Sequence, residues 1–576
     1  MESLKHFMWG YQPHFQTMAE ARAKDFLAHF EFESNLHVQV CLVGVLEDER
    51  DDRLPICVEP QDSKYQDRLG DIPAIARRLR RCDEDRLRHS HPSAAERYER
   101  RKHLEYLQQA IREAVATLSG DDCSVFSSLP TKVGGYLVSC VLRLDRSAYE
   151  KFPRLEKHVV ARTPVAASFL DAVIDEYLRD CSAELSKPDP GMNFGGFRDI
   201  EELYRGGGAR ICDTAAVAVG HIQGVCFRAF DRISSLKHER GSASGRIILS
   251  ERGHPNVDPI VVLRDPIPVG NTRQARKLLE TSGGGRSLLC DGVRIYGVGK
   301  TTGSYDPSRE DLFEVEFLDH HAWELRHGGA TLMRSIDGIP CQPKPPYRER
   351  KFRSDARRIF PEIEDESLDR LCRLVGAAAR QRHGALLVVA PEAEREAERL
   401  AGQATRVEPF QVEEDVIDAL TAIDGAVLIS TSGVCHAIGV VLDGLASQLG
   451  DPARGSRYNS AIRYTGSVDG PRMAVVTSED GTVDVVPDLK PQIPRAALDE
   501  ALVELRAVAD EPQPDIRRFN NVVSWLHRHR FYINADHCDE IKLLRSIVES
   551  RLTDVRCRIV YGEIAPDPGM DDSYLT

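Results

Sequence analysis

The sequence predicts a multidomain chain of the α/β class with mixed α+β segments. Three observations lead there. The chain has 576 residues, which at about 150 residues per domain makes three or four domains. Its apolar runs, such as 41–46, 384–390 and 425–429, have the length of buried strands and fall far short of the ~18–20 residues of a membrane span. Between them lie charge-laced stretches that fit helices, and in the last third strand and helix alternate.

Composition narrows the function. Hydrophobic residues make up 41% and charged residues 29%, an ordinary soluble balance. Lys plus Arg is 76 against 90 Asp plus Glu, a net charge of −14. That charge argues against wrapping duplex nucleic acid, where neutralised phosphates dominate affinity. It leaves room for a local basic pocket that holds a small anion. The opening MESLKHFMWGYQPHF lacks the basic flank and apolar core of a signal peptide, so the expected location is cytoplasmic with no membrane partner. Fourteen cysteines are scattered, the closest pair being Cys212 and Cys226, and no CxxC occurs. The spacing excludes a zinc ribbon and fits reduced thiols.

Residues 13–31 fit a helix, and 36–46 (LHVQVCLVGVL) alternates as a strand does. Residues 72–118 read as helical, with ARRLRR at 76–81 and ERYERRKHLEYL at 96–107. Asp83, Glu84, Asp85, Glu96 and Glu99 interleave with this basic run, which favours a solvated helix face over an anion patch. A strand at 135–144 and a helix at 166–184 complete an N-terminal α+β domain, 1–185. SKPDPGMNFGG (186–196) reads as a linker. A second segment, 197–345, holds strands at 246–249, 259–263, 287–289, 293–298 and 313–317. PCQPKPPYRERKF (340–352) reads as the next linker. The third segment, 353–510, opens with helices to 382. Its strands are 384–390, 425–430, 434–441, 473–477 and 482–486, and helices fit 413–422, 456–464 and 496–509. A helical extension, 511–576, follows.

Several glycine clusters look chemical without being so. GVGKT (297–301) resembles the end of a phosphate loop, but Arg294 stands where that loop needs a glycine. RGGGAR (205–210) and SGGGR (282–286) read as flexible turns. DHH (319–321) lacks the carboxylate companions of a metal pair.

The third segment is different. Asp424, Gly425 and Ala426 lie where a polar helix end meets the apolar strand VLIS. A carboxylate at the start of a buried strand needs compensation for its desolvation: a metal, a substrate hydroxyl or a hydrogen-bonded turn. Some thirty residues on comes RGSRYNSAIRY (454–464). Ser456 is placed to cap a helix, and a helix start offers N–H groups to phosphate. Arg457 can add a bidentate contact, with Arg454 and Arg463 as further cations. The alternative is a capped surface helix. Glu479 and Asp480 in TSEDG (477–481) end a strand, either as a turn or, with Asp424, as hard-oxygen ligands for a divalent metal.

GALLVVA, DGAVLIS, GSRYNSA and VVTSEDG follow one another in the order of the stretches of the diadenylate cyclase domain, which residues 353–510 resemble. The family's Arg-His-Arg reads here Arg457-Tyr458-Asn459, and Ile423 stands where many members have His before DGA. Residues 197–345 resemble a sensor-type accessory domain (DACNV), through FEVEFLDHHAWELRHGGATLMRS (313–335) and LLCDGVRIYGVG (288–299).

The cyclase resemblance implies a mixed β-sheet flanked by helices and the condensation of two ATP molecules into cyclic di-AMP, with Mg²⁺ or Mn²⁺, in a homodimer or larger homo-oligomer. It assigns Asp424, Gly425 and Ala426 to catalysis. Gly455, Ser456, Arg457, Tyr458 and Asn459, with Arg454 and Arg463, fall to the nucleotide, and Asp424, Glu479 and Asp480 to the metal. Residues 1–345 would respond to an unidentified ligand or protein. Asn459 and Ile423 also allow a second expectation, a degenerate cyclase domain that binds nucleotide as a sensor.

Overall fold

The structure is a computed structural model. It describes residues 8–30, 38–48, 53–60, 68–83, 91–157, 159–160, 163–192, 196–220, 226–236, 245–343, 347, 349–379, 384–444, 455–467, 470–477, 483–551 and 562–576. The chain divides into two compact units, Met1–Pro343 and Lys344–Thr576.

In the first unit, β1 (Gln39–Leu46), β2 (Ile56–Glu59), β3 (Cys123–Ser127), β4 (Thr131–Val133) and β5 (Tyr136–Asp145) form an antiparallel sheet ordered β2-β1-β5-β3, with β4 also on β5. β1 is apolar nearly throughout because both of its faces are covered. Val40 and Leu42 share a core with α1 (Gln12–Leu27). Val43 and Val45 share another with α2 (Ile72–Cys82) and α3 (Pro92–Ser119). The basic run of α2 is a solvated face, as its mixed charges suggest: Arg80 pairs with Glu99 at 2.8 Å and Arg78 with Glu113, all exposed.

After α4 (Arg146–Tyr149) and the small hairpin of β6 (Val159–Val160) and β7 (Thr163–Pro164) come two packed helices, α5 (Phe169–Leu185) and α6 (Ile200–Ala218). RGGGAR is no turn; it lies inside α6. A Cβ on Gly206 would meet Glu176 at 2.8 Å, one on Gly207 would meet Val173 at 2.5 Å, and one on Gly208 would meet Pro340 at 2.5 Å. The three glycines give up helix propensity, about 1 kcal/mol each, for close approach to neighbours on two sides.

The unit continues through α7 (Cys226–Ser235), α8 (Thr272–Leu279) and eight strands: β8 (Gly245–Ser250), β9 (Val257–Pro268), β10 (Ser287–Cys290), β11 (Arg294–Thr301), β12 (Leu312–Asp319), β13 (Ala322–His327), β14 (Ala330–Ile336) and β15 (Ile339–Cys341). Their order is β15-β14-β13-β12-β8-β10-β11-β9, with only β8 and β10 parallel. GVGKT sits within β11, and SGGGR is a turn with its three glycines at φ of +134°, +59° and +82°. The described cysteines carry no disulfide.

The second unit holds a mixed sheet: β16 (Ala385–Val389), β17 (Thr405–Gln411), β18 (Ala426–Ile429), β19 (Val434–Val440), β20 (Met473–Thr477) and β21 (Val483–Val486), ordered β17-β19-β18-β16-β20-β21. β16 and β18 are parallel, and every other pairing is antiparallel. Helices cover both faces. Leu387 and Val389 of β16 pack with α9 (Glu349–Ile359), α10 (Asp365–Ala379) and α12 (Glu414–Thr421). Leu386 and Val388 pack with α11 (Ala393–Arg399) and α13 (Ser456–Ser467). This is why GALLVV reads as a continuous apolar run rather than an alternation. The tail forms its own cluster from α14 (Arg495–Asp510), α15 (Ile516–Arg528) and α16 (Ala535–Arg551). It is tied back by a bridge between Ile493 and Leu575 and by the Arg358 guanidinium 4.0 Å above Tyr574.

Candidate functional site

The antiparallel and parallel registers bring four chain segments to one end of the second sheet. These are the entries to β16 and β18 and the exits of β19 and β20. Asp424 and Gly425 form the entry to β18. Gly425 has φ +111°, and a Cβ there would lie 2.6 Å from the carbonyl carbon of Gly439 at the exit of β19. Only glycine fits this turn. Ala426 is fully buried as the first residue of β18 and pairs with Val440.

The Asp424 side chain is fully exposed, so no desolvation has to be compensated, contrary to the sequence expectation of a buried carboxylate. The carboxylate is held in the open by the turn. Its Oδ1 lies 3.8 Å from Nη2 of Arg457, in the first turn of α13. The other guanidinium nitrogen packs at the entry of β16, where a Cβ on Gly384 would come within 2.4 Å of it and 3.2 Å of the Thr477 carbonyl oxygen. A carboxylate and a guanidinium from distant stretches thus meet beside Gly384 and Thr477. Ile423 and Val441 stand exposed on the same rim, at 45% and 60%.

The rest of the 454–464 motif divides. The helix begins at Ser456, and Gly455 accepts the first helical bond, from the Asn459 N–H at 3.2 Å. Gly455 therefore takes the cap position expected of Ser456, which is exposed in the first turn. Asn459 Nδ2 also donates to the Gly455 carbonyl at 3.2 Å, so its amide is folded onto its own helix. Tyr458 packs against the core under α13. Arg463 is exposed beside Gly444, and six residues beyond Arg457 it lies about 240° around the helix. The structure does not bring it to Asp424. Arg454, Glu479 and Asp480 lie outside the described residues. Among the described residues no group of three His, Cys, Asp or Glu side chains could hold a metal.

Sequence reasoning missed the network that orients α13. Glu396 on α11 is buried at 4% exposure. It accepts from Tyr464 Oη at 2.6 Å, from Arg399 at 2.7 and 2.9 Å, and from Arg472 at 3.2 Å. Arg399 also donates to Asp443 at 2.8 Å. Burial alone would raise the Glu396 carboxyl, but Arg399, Tyr464 and Arg472 outweigh it and hold the group down at about 2. Tyr464 lies seven residues, about two turns, from Arg457 on one helix face. The network therefore fixes the helix that presents Arg457. Its members are scattered over 396–472 and leave no motif.

Three family models match the chain. "Probable sensor domain DACNG" matches residues 8–212, "Probable sensor domain DACNH" matches 225–329, and "DisA bacterial checkpoint controller nucleotide-binding" (DAC) matches 374–490. Where the sequence suggested a DACNV-like sensor, the matching description is DACNH, and the first match runs across 186–196. No curated protein matches. Similar solved structures include a double mutant of DacA from Staphylococcus aureus, 20% identical, covering 24% of this chain and 97% of that one, with a TM-score of 0.19. Another is a hypothetical membrane spanning protein from Bacillus cereus, 20% identical, covering 23% and 64%, also with a TM-score of 0.19. Among the described residues no helix is long and apolar enough to cross a membrane. The chain thus carries, in order, two regions that match probable sensor domains and a third, residues 374–490, that matches the DAC nucleotide-binding model.

Proposed function

We propose that the second unit is a diadenylate cyclase that condenses two ATP molecules into cyclic di-AMP. The observation that carries this reading is the meeting of Asp424 and Arg457 at one sheet end, 3.8 Å apart, within the DAC match. In the reaction the 3′-hydroxyl oxygen of one ATP attacks the α-phosphorus of the other. An O–P bond forms, the bond to the β-phosphate bridge breaks, pyrophosphate leaves and the hydroxyl loses its proton; a second, reciprocal step closes the ring. Phosphoryl transfer of this kind is governed by positioning and charge neutralisation. Asp424 receives the attacking hydroxyl, and Gly425 and Ala426 let the ribose approach the backbone. Arg457, Ser456 and the N–H groups of the helix start hold phosphate oxygens, and Arg454, two residues before Ser456 in sequence, is a further cation for them. Nucleotide phosphates displace Asp424 as the partner of Arg457.

One exposed hard-oxygen ligand at Asp424 fits Mg²⁺ or Mn²⁺, which take one or two carboxylates together with substrate phosphates and water. Glu479 and Asp480 follow Thr477 in sequence and are the carboxylates to join it. When bound, the metal neutralises phosphate charge and lowers the cost of deprotonating the hydroxyl. Two sites must face each other, so the active form is at least a homodimer. The exposed Ile423 and Val441 at the rim of Asp424 are suited to that contact.

A second reading has one observation in its favour. Asn459 stands at the family's second arginine and spends its amide on Gly455, so the domain binds nucleotide as a sensor and turns it over slowly or not at all. Incubation with ATP and Mn²⁺ separates the two. Cyclic di-AMP from the wild type and none from Asp424→Asn supports the cyclase; bound ATP without product supports the sensor.

A further inference from the structure

The segment between β21 and α14 meets the end of α15 around a cavity of about 520 Å³, within the roughly 300–1,000 Å³ of small-molecule sites. Its cations are Lys490 from that segment, Arg528 from the last turn of α15 and Arg530 just beyond it, and no Asp or Glu lines it. All three are exposed, and among the described residues none of them forms an ion pair. Other arginines of this unit are spent: Arg353 pairs with Glu349 and Asp369, and Arg518 with Glu504 and Glu511. In a chain with 90 Asp plus Glu against 76 Lys plus Arg, three cations around one cavity with no carboxylate among them call for an anion from outside.

The remaining wall is fixed by the fold. Tyr532 is buried, and its hydroxyl donates to the Pro491 carbonyl at 2.7 Å. His527 Nε2 lies 2.8 Å from the Gly562 carbonyl oxygen. Phe531 packs edge-on against Tyr574 and Tyr532, with ring centres 4.7 and 5.2 Å apart, and the Lys490 ammonium lies 5.7 Å from its ring centre. The helix dipole accounts for Arg528 at the C-terminal end of α15, but Lys490 and Arg530 lie outside the helix. Burial lowers the neighbouring His529 imidazole below its ordinary value, and the field of Arg528 adds to that, as uncompensated positive charge does.

The donor set says which anion fits. Guanidinium groups take phosphate oxygens in a bidentate fork, and an ammonium adds a compact point charge. One phosphate group carries about −1.5 to −2 at pH 7, less than three permanent cations can neutralise, so a chain of two or three phosphates is the better match. We propose that this cavity binds a short phosphate chain, supplied as inorganic polyphosphate or as a nucleoside di- or triphosphate, at a site separate from Asp424 and Arg457. The site lies beyond the DAC match, which ends at residue 490, and stands independently of the cyclase reading.

The test is isothermal titration of tripolyphosphate, and separately of ATP, into the full-length chain without metal. Both are run in an Arg457→Ala parent, so that binding at the proposed substrate site does not enter whether or not the cyclase reading holds. Tripolyphosphate should bind the parent, and Arg528→Ala with Arg530→Ala should weaken it at least tenfold. Lys490→Gln, from a different segment, should weaken it several-fold. Arg395→Ala, which removes an 82% exposed cation on α11, should change nothing. The three cations are exposed, so the unfolding midpoint should stay at the parent value in each variant. Equal affinity for the two probes assigns the site to the phosphate chain alone, and tighter binding of ATP assigns it to a nucleotide; either supports the proposal. No binding to the parent, an affinity unmoved by the arginine pair, or an equal loss in Arg395→Ala overturns it. Tighter binding of a DNA duplex, lost in the same variants, would also overturn it in favour of a nucleic-acid surface.

Discussion

Asp424 and Arg457 carry the account at the scale of single residues. Because the Asp424 side chain is fully exposed, Asp424→Asn removes no packing. It should leave the denaturant midpoint of unfolding at its wild-type value while product falls to background; retained turnover would remove Asp424 from the mechanism. Arg457→Ala gives up a charge-assisted phosphate contact of about 1.5–3 kcal/mol, so ATP affinity should drop roughly ten- to a hundredfold in equilibrium binding. An unchanged affinity would deny the arginine its phosphate. Gly425 is constrained twice, by its φ of +111° and by the 2.6 Å approach to Gly439. Gly425→Ala should cost about 1–3 kcal/mol from backbone strain alone, seen as a lower denaturant midpoint. The DGA and Arg457 positions were legible because glycine at a tight turn and arginine at a helix start are local signals. The exposure of Asp424 was not, since it depends on how the turn leaves the sheet.

At the scale of elements, the strands of the second sheet were readable because β16, β18 and β20 are buried on both faces and show as unbroken apolar runs. β17 escaped notice: TRVEPFQ is a largely exposed edge strand with a proline, and no apolar run marks it. Three glycines in α6 run against helix propensity, and only the neighbouring Val173, Glu176 and Pro340 reveal why they are there. The Glu396 network also joins residues that no spacing rule connects, and it carries a pH signature. Its carboxyl lies at about 2 against an ordinary 4.5. The stabilisation from its charge is complete above pH 4.5 and is lost as the pH falls from there toward 2. Glu396→Gln should flatten the acid limb of the unfolding curve over that window; a slope equal to wild type would show that the network does not stabilise the fold. Glu396→Ala, which removes the buried carboxylate that Arg399, Arg472 and Tyr464 share, should cost about 3–5 kcal/mol.

For the whole molecule, a net charge of −14 is compatible with the proposed phosphate site, because the local field of Arg457 and the helix start counts for more than the average. The two matches to probable sensor domains occupy the first unit, and the DAC match lies in the second. Since the proposed reaction uses two facing sites, specific activity should climb with protein concentration through the dissociation range of the pair. A flat profile down to concentrations where the chain is monomeric by light scattering would exclude a shared site. The most direct measurement is a crystal structure with a non-hydrolysable ATP analogue and Mn²⁺. The account predicts the ribose within hydrogen-bond reach of Asp424 and the triphosphate on Arg457, with a second protomer's nucleotide opposite. Nucleotide bound away from Asp424, or a site with no facing protomer, would contradict it.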